Sequence, residues 1–146
     1  MENYKDNDDL ELYDTVIEEF CINHREKSIT FKILKPISRI DRQDGFTYLV
    51  KKGTLKFENV VYANTPYGFE WDEWSEFYRS AVLNKSNVID KIPANVKGNK
   101  AIKHIYLGID YGVNYKELDI VCSDYYLTLD EREYILHDDF DWLYEE

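Results

Sequence analysis

Glycine is scarce and scattered. The six glycines stand singly along 146 residues, so the chain offers no glycine-rich loop to cradle phosphates and nothing in it points to nucleotide hydrolysis. No apolar run approaches the roughly 20 residues that a membrane-spanning helix needs. The opening MENYKDNDD has the wrong charge and polarity for a signal peptide, and the expected location is the cytoplasm. Cysteine is limited to Cys21 and Cys122, each inside an apolar stretch (EEFCIN and DIVCSD). Both are expected to be buried and reduced, packing as small hydrophobes, with a disulfide between them left open. His24, His104 and His137 are far apart and none falls in HExxH or in a Cys/His pattern with zinc-ligand spacing. Ser75, Ser80, Ser86 and Ser123 lack a GxSxG setting, and neither cysteine has a recognisable nucleophile context. These gaps argue against an enzyme and against a cofactor.

What the chain has in quantity is negative charge at its two ends. Residues 1–19 carry eight acids against Lys5 alone, and residues 130–146 carry another eight against Arg132 alone. The 110 residues between them hold 16 bases and 13 acids, so the segments sum as −7, +3 and −7 to the net charge of −11. A field of that sign repels nucleic acid and anionic membrane and draws in cationic proteins, whose encounter it accelerates. The lysines of the middle (Lys32, Lys51, Lys52, Lys56, Lys85, Lys91, Lys97, Lys100) read as solvent-face guards of strand edges rather than as a nucleic-acid patch.

Length and composition fit one domain. A chain of this size buries roughly two-thirds of its unfolded surface, and 44% hydrophobic residues with 16% aromatics place it far from the disordered class. Residues 1–9, rich in Asn and Asp, read as a disordered acidic tail with nothing to bury.

Period-two alternation dominates. Leu55, Lys56, Phe57, Glu58 places apolar and charged groups on opposite faces, as do Ile29, Thr30, Phe31, Lys32, Ile33 and the series Ile105, Leu107, Ile109, Tyr111; these are half-buried strands. Residues 16–23 and 117–122 are apolar on both faces and predict central strands covered on each side. The polar quartet at 24–27 predicts a hairpin over 15–35. Lys51-Lys52-Gly53 predicts a turn joining residues 46–50 to 54–62, and a third hairpin is expected at 112–115. Connections this short favour antiparallel neighbours.

Two stretches break the period. Trp71, Trp74, Tyr78 and Val82 recur at spacings of three and four, which predicts an amphipathic helix over 72–83 with its aromatics on the sheet. Thr128-Leu129-Asp130-Glu131 has the form of a capping box, after which Leu129, Leu136, Phe140 and Leu143 would share a helical face. Residues 84–100, with Pro93 and Gly98, read as a long mobile loop. The expected fold is therefore α+β, mainly β: one antiparallel sheet or sandwich with one or two packed helices.

Three candidate sites follow from residue chemistry. The run from Pro66 to Trp74 interleaves aromatic faces with carboxylates: Tyr67, Trp71 and Trp74 could stack on sugar rings while Glu70 and Glu73 take hydroxyl hydrogen bonds or act as an acid and base pair. Packing alone gives the same pattern when Trp71 and Trp74 face a sheet, and it is the preferred reading of those two; a protein-binding surface is a third. His137-Asp138-Asp139-Phe140-Asp141 offers oxygen and imidazole groups to a divalent cation, although acidic runs are ordinarily solvated surface, and no metal is expected there. Neither DNDD near the start nor DYG at 110–112 matches a calcium loop. Asp138, Asp139 and Asp141 are instead taken as candidate contacts to a basic protein partner.

The order of the stretches Tyr13-Asp14-Thr15-Val16-Ile17-Glu18, Ser28-Ile29-Thr30-Phe31-Lys32-Ile33, Thr54-Leu55-Lys56-Phe57-Glu58-Asn59-Val60 and Glu117-Leu118-Asp119-Ile120-Val121 resembles the small β-rich bacterial proteins found near polymorphic toxin genes, several of which are classed as immunity proteins. The resemblance spans roughly residues 13–63 and 103–129, and residues 66–78 and the acidic C-terminal stretch have no counterpart in it. It implies a small cytoplasmic binding protein that inhibits a toxin domain, with no catalytic residues. A carbohydrate-interacting module built on residues 66–78 is the alternative, and a housekeeping domain with no dedicated ligand is the third reading. Charge, aromatics and missing catalytic motifs favour the first.

Overall fold

Among the described residues the chain forms nine strands and two single-turn helices: β1 (Thr15–Asn23), β2 (Ser28–Arg42), β3 (Gly45–Glu58), β4 (Tyr62–Asn64), β5 (Glu76–Leu83), α1 (Asn87–Asp90), α2 (Ala94–Lys97), β6 (Lys103–Asp110), β7 (Tyr115–Cys122), β8 (Asp124–Leu136) and β9 (Trp142–Tyr144). The structure is a computed structural model, and it describes residues 10–43, 45–64, 75–98, 101–110, 115–136 and the backbone of 142–144. All strand pairs are antiparallel and belong to one sheet in the order β4-β7-β6-β5-β1-β2-β3-β8-β9. The mainly-β α+β class expected from the alternation is the class observed. No helix among the described residues is long and apolar enough to cross a membrane.

Two short links force this sheet to roll up. Ser123 alone joins β7, second in the order, to β8, which is eighth. Six strand spacings would separate the two by about 29 Å in a flat sheet, whereas a single intervening residue reaches only about 7 Å. Residues 59–61 make the same demand, because they carry the chain from β3, seventh, to β4, first. The rolled end is tied by Val61 N–H donating to the Val121 carbonyl (2.8 Å) and Val60 N–H donating to the Lys27 carbonyl (2.9 Å). Asn59, at φ 53°, takes the left-handed conformation that Asn tolerates better than most residues, and its amide donates to Asp124 Oδ2 at 3.2 Å.

Rolling brings one face of the sheet onto itself. Ile29, Phe31 and Ile33 of β2, Leu55 and Phe57 of β3, Phe77 of β5, Ile105, Leu107 and Ile109 of β6, and Leu118, Ile120 and Cys122 of β7 form a single buried cluster. Phe31 anchors it edge-on to Phe77 and Phe57, with ring centroids 5.2 and 6.3 Å apart. β1 and β5 pair only at Thr15↔Phe77 and Val16↔Glu76, and buried Leu10 and Leu12 join the core beside them, with the Ser80 hydroxyl donating to the Leu10 carbonyl. The opposite face carries two smaller clusters: Val16, Leu34, Val50, Tyr134 and Leu136 at one end, and Ile89, Ile92 and Val121 under α1 at the other.

Several sequence expectations are corrected. The helix over 72–83 is instead β5 from Glu76 onward. A bulge between Phe77 and Arg79 inserts a residue into the alternation, so that buried Phe77 and Ser80 stand three residues apart within a strand. The second helix is β8, in which Thr128 pairs with Thr54 instead of capping. Leu143 lies in β9 opposite Ile135, and Phe140 is outside the described residues. Lys51-Lys52-Gly53 is no turn, since β3 runs straight through it and the β2–β3 hairpin closes between Arg42 and Gly45. Residues 84–98 are not simply a loop, because they form α1 and α2. β6 is buried on both faces rather than one. β1 is exposed along residues 18–19 and 21–23 rather than covered on both sides, which leaves Cys21 exposed while Cys122 is buried; both thiols are free.

Candidate functional site

Asp138, Asp139, Asp141, Tyr67, Glu70 and Glu73, together with Trp71 and Trp74, all lie outside the described residues. The C-terminal acids follow directly on β8, and the aromatic stretch leads into β5, whose Phe77 is fully buried in the core. Tyr78 lies across Gly108, where a Cβ would come within 2.8 Å of its ring, and meets Tyr115 edge-on with centroids 5.2 Å apart. The described end of the aromatic stretch is thus packing surface.

The candidate interaction surface among the described residues is β8. Its inner side pairs with β3 from Asp124 to Ile135, and among the described residues its outer side pairs with β9 only at Tyr134, Ile135 and Leu136. Between Leu129↔Gly53 and Glu133↔Lys51 the strand holds three residues against one on β3. That bulge pushes Asp130, Glu131 and Arg132 outward, and all three are exposed. Four acids (Asp124, Asp130, Glu131, Glu133) stand on β8 against Arg132 alone. Tyr126 is half exposed on the same strand, opposite Lys56, and the Asp124 carboxylate, followed by slight desolvation and Glu58, raises its phenol above the ordinary value. Charged residues and bulges on an outer strand are the usual means by which sheets avoid unwanted pairing.

A second constellation has the composition of a hydrolytic triad. His104 of β6 lies with Nδ1 2.9 Å from Ser86 Oγ and Nε2 2.7 Å from Asp119 Oδ1 of β7. A carboxylate only accepts, so Nε2–H donates to Asp119 and the Ser86 hydroxyl donates to Nδ1. The arrangement is inverted relative to a working nucleophile. Ser86 is buried at 8% exposure, His104 is fully buried, and the carboxylate is the most exposed of the three at 20%. Ser86 Oγ also accepts from Ile89 N–H at 3.1 Å as the N-cap of α1. The network pins α1 to the sheet, and a substrate carbonyl has no approach to an oxygen already holding the helix. Beside it, Tyr106 donates to Glu117 Oε1 at 3.1 Å; burial, with Tyr78 and Glu117 adding to it, raises its phenol far above the ordinary value.

These partners were missed from sequence because they are 15 and 18 residues from His104 and adjacent only through pairing and a cap. Ser86-Asn87-Val88-Ile89 was the available signal: a serine placed just before a short apolar stretch is an N-cap pattern.

At the rolled end, Ile22, Ile29, Val60, Val61 and Ala63 form the apolar part of a groove of about 250 Å³, with Asn23, His24, Lys27, Ser28 and Tyr62 also lining it. That volume is below the usual range of small-molecule sites, ~300–1,000 Å³. Among the described residues, no three His, Cys, Asp or Glu side chains are grouped to hold a metal ion.

The chain was compared with protein families, curated proteins and solved structures. None of the three yields a match.

Proposed function

We propose that this chain is a cytoplasmic binding module that captures a cationic protein partner, such as a toxin domain, and occludes it as an inhibitor or immunity protein does, with no chemistry of its own. The observation that carries the reading is β8, whose bulge exposes Asp130 and Glu131 on a strand with four acids and one base. In sequence β8 runs on into Asp138, Asp139 and Asp141, within a chain of net charge −11. Exposed charges of one sign speed encounter with a partner of the other, and aromatic side chains such as Tyr126 supply contact area at low entropic cost. The inward, capped Ser86–His104–Asp119 network supports a scaffold role for the residues that most resemble catalytic ones.

The test is co-expression with the products of the adjacent genes. A basic protein that arrests growth alone, is tolerated when this chain is present, and co-elutes with it supports the reading. Turnover of a substrate by the isolated chain, or an anionic partner, opposes it.

A further inference from the structure

Main-chain groups on the outer side of β8 offer more than charge. Residues 126–131 have β3 on one side and, among the described residues, no strand on the other. A strand in that position presents alternating N–H and C=O groups that a further extended segment can pair with. Here the edge is bounded at both ends by acid: Asp124, paired with Glu58, at the start, and the outward bulge with Asp130 and Glu131 after Leu129. Between them the side chains alternate, with Tyr126 and Thr128 exposed on one face and Leu127 and Leu129 half-buried on the other.

We infer that β8 takes up an extended strand of the cationic partner along residues 126–129, with a basic residue of that strand at each end meeting Asp124 on one side and Asp130 and Glu131 on the other. This rests on the reading of the chain as a binder of a cationic protein and specifies how the contact is made. The short regular stretch admits about four paired residues before the bulge ends the ladder. Tyr126 and Thr128 then flank cross-strand neighbours, a setting that favours β-branched and aromatic residues in the added strand. The bulge favours a partner that brings positive charge, because an acidic strand would meet two exposed carboxylates where pairing stops.

The experiment uses the full ¹⁵N-labelled chain and three synthetic peptides: acetyl-Lys-Thr-Val-Thr-Val-Lys-amide, the same peptide N-methylated at alternate residues, and the peptide with both Lys replaced by Glu. The parent peptide is expected to shift amides 126–131 most, to give cross-strand contacts to that segment and to slow its hydrogen exchange. N-methylation keeps the charge and removes donors, and should weaken binding about tenfold or more. The Glu peptide should not bind. Parent and N-methylated peptides binding equally well would overturn strand pairing while leaving capture of a cationic partner standing. Strand pairing is overturned in the same way if the co-purified partner leaves exchange at 126–131 unchanged. If neither basic peptide binds and no basic protein partner is found, both readings fall. Concentration-dependent shifts at 126–131 without peptide would assign the edge to a second copy of this chain and overturn the proposed occupant.

Discussion

Gly53 sits against Leu129 so closely that a Cβ on the glycine would come within 2.6 Å of the leucine Cδ2 and equally near the Thr128 carbonyl oxygen. The glycine is therefore required by approach between β3 and β8, where the strands pair just before the bulge. Because one of the two contacts is backbone, it cannot be relieved by a rotamer change. G53A is expected to lose on the order of 1–3 kcal/mol, the usual cost of overpacking, read as a lower urea midpoint with an unchanged m-value. A midpoint equal to the parent's would mean that β3 and β8 do not meet as described.

The two thiols should separate cleanly. Cys21 is exposed and Cys122 buried, and burial, reinforced by the Asp124 carboxylate, pushes the Cys122 thiol up to about 12. Under native conditions at neutral pH an aromatic disulfide reagent should modify one cysteine rapidly and the second only on unfolding. Protection of both would restore the buried Cys21 expected from its apolar sequence context.

Replacing Ser86 by Ala removes the α1 cap and the hydroxyl that donates to His104 Nδ1. Loss of such a cap costs roughly 0.5–2 kcal/mol. H104A should also destabilise, and the double variant should lose less than the sum, because the two residues act as one unit. Additive losses in denaturant unfolding would mean the hydrogen bond between them contributes nothing.

Alkaline titration tests the buried phenol and thiol together. Burial raises Tyr106 and Tyr48 above the ordinary tyrosine value, with the Asp14 hydrogen bond contributing second at Tyr48, and Cys122 is raised as well. In each case the folded state holds its proton longer than the unfolded state. The stabilisation is thus fully present below the unfolded values, about 8.5 for cysteine and about 10 for tyrosine, and is lost as pH rises through the folded ones. Stability should fall progressively above about pH 9. The Y106F variant should show a smaller alkaline loss than the parent; an identical pH dependence would remove Tyr106 from the cause.

The strands were legible in sequence where alternation is regular, as at Ile29–Phe31–Ile33 and Leu55–Phe57, and illegible where a bulge intervenes. Between Phe77 and Arg79 and at 130–132 bulges interrupt the ladder, and there the strand no longer shows itself by a period of two. Gly53 misleads in a related way, because a glycine needed for close strand approach looks like a turn when only its neighbours Lys51 and Lys52 are visible. The roll of the sheet could not be read at all, since it depends on which strands pair across Ser123 and 59–61. The site was legible only as charge. Acids at 130–131 were counted in the C-terminal excess, but their placement on an outer strand comes from pairing with β3, and the Ser86–His104–Asp119 contacts come from β6, β7 and a cap meeting in space.

The central claim, that acids on and beyond β8 recruit a cationic protein, is tested most directly by the ionic-strength dependence of association with the basic partner identified by co-expression. Screening shortens the Debye length to about 8 Å at physiological salt, so the association rate should fall markedly from low to physiological salt. The D130N/E131Q pair and the D138N/D139N/D141N triple should each lower the association rate more than they raise the dissociation rate, as rim charges do. An association rate that ignores both salt and these substitutions would contradict the account.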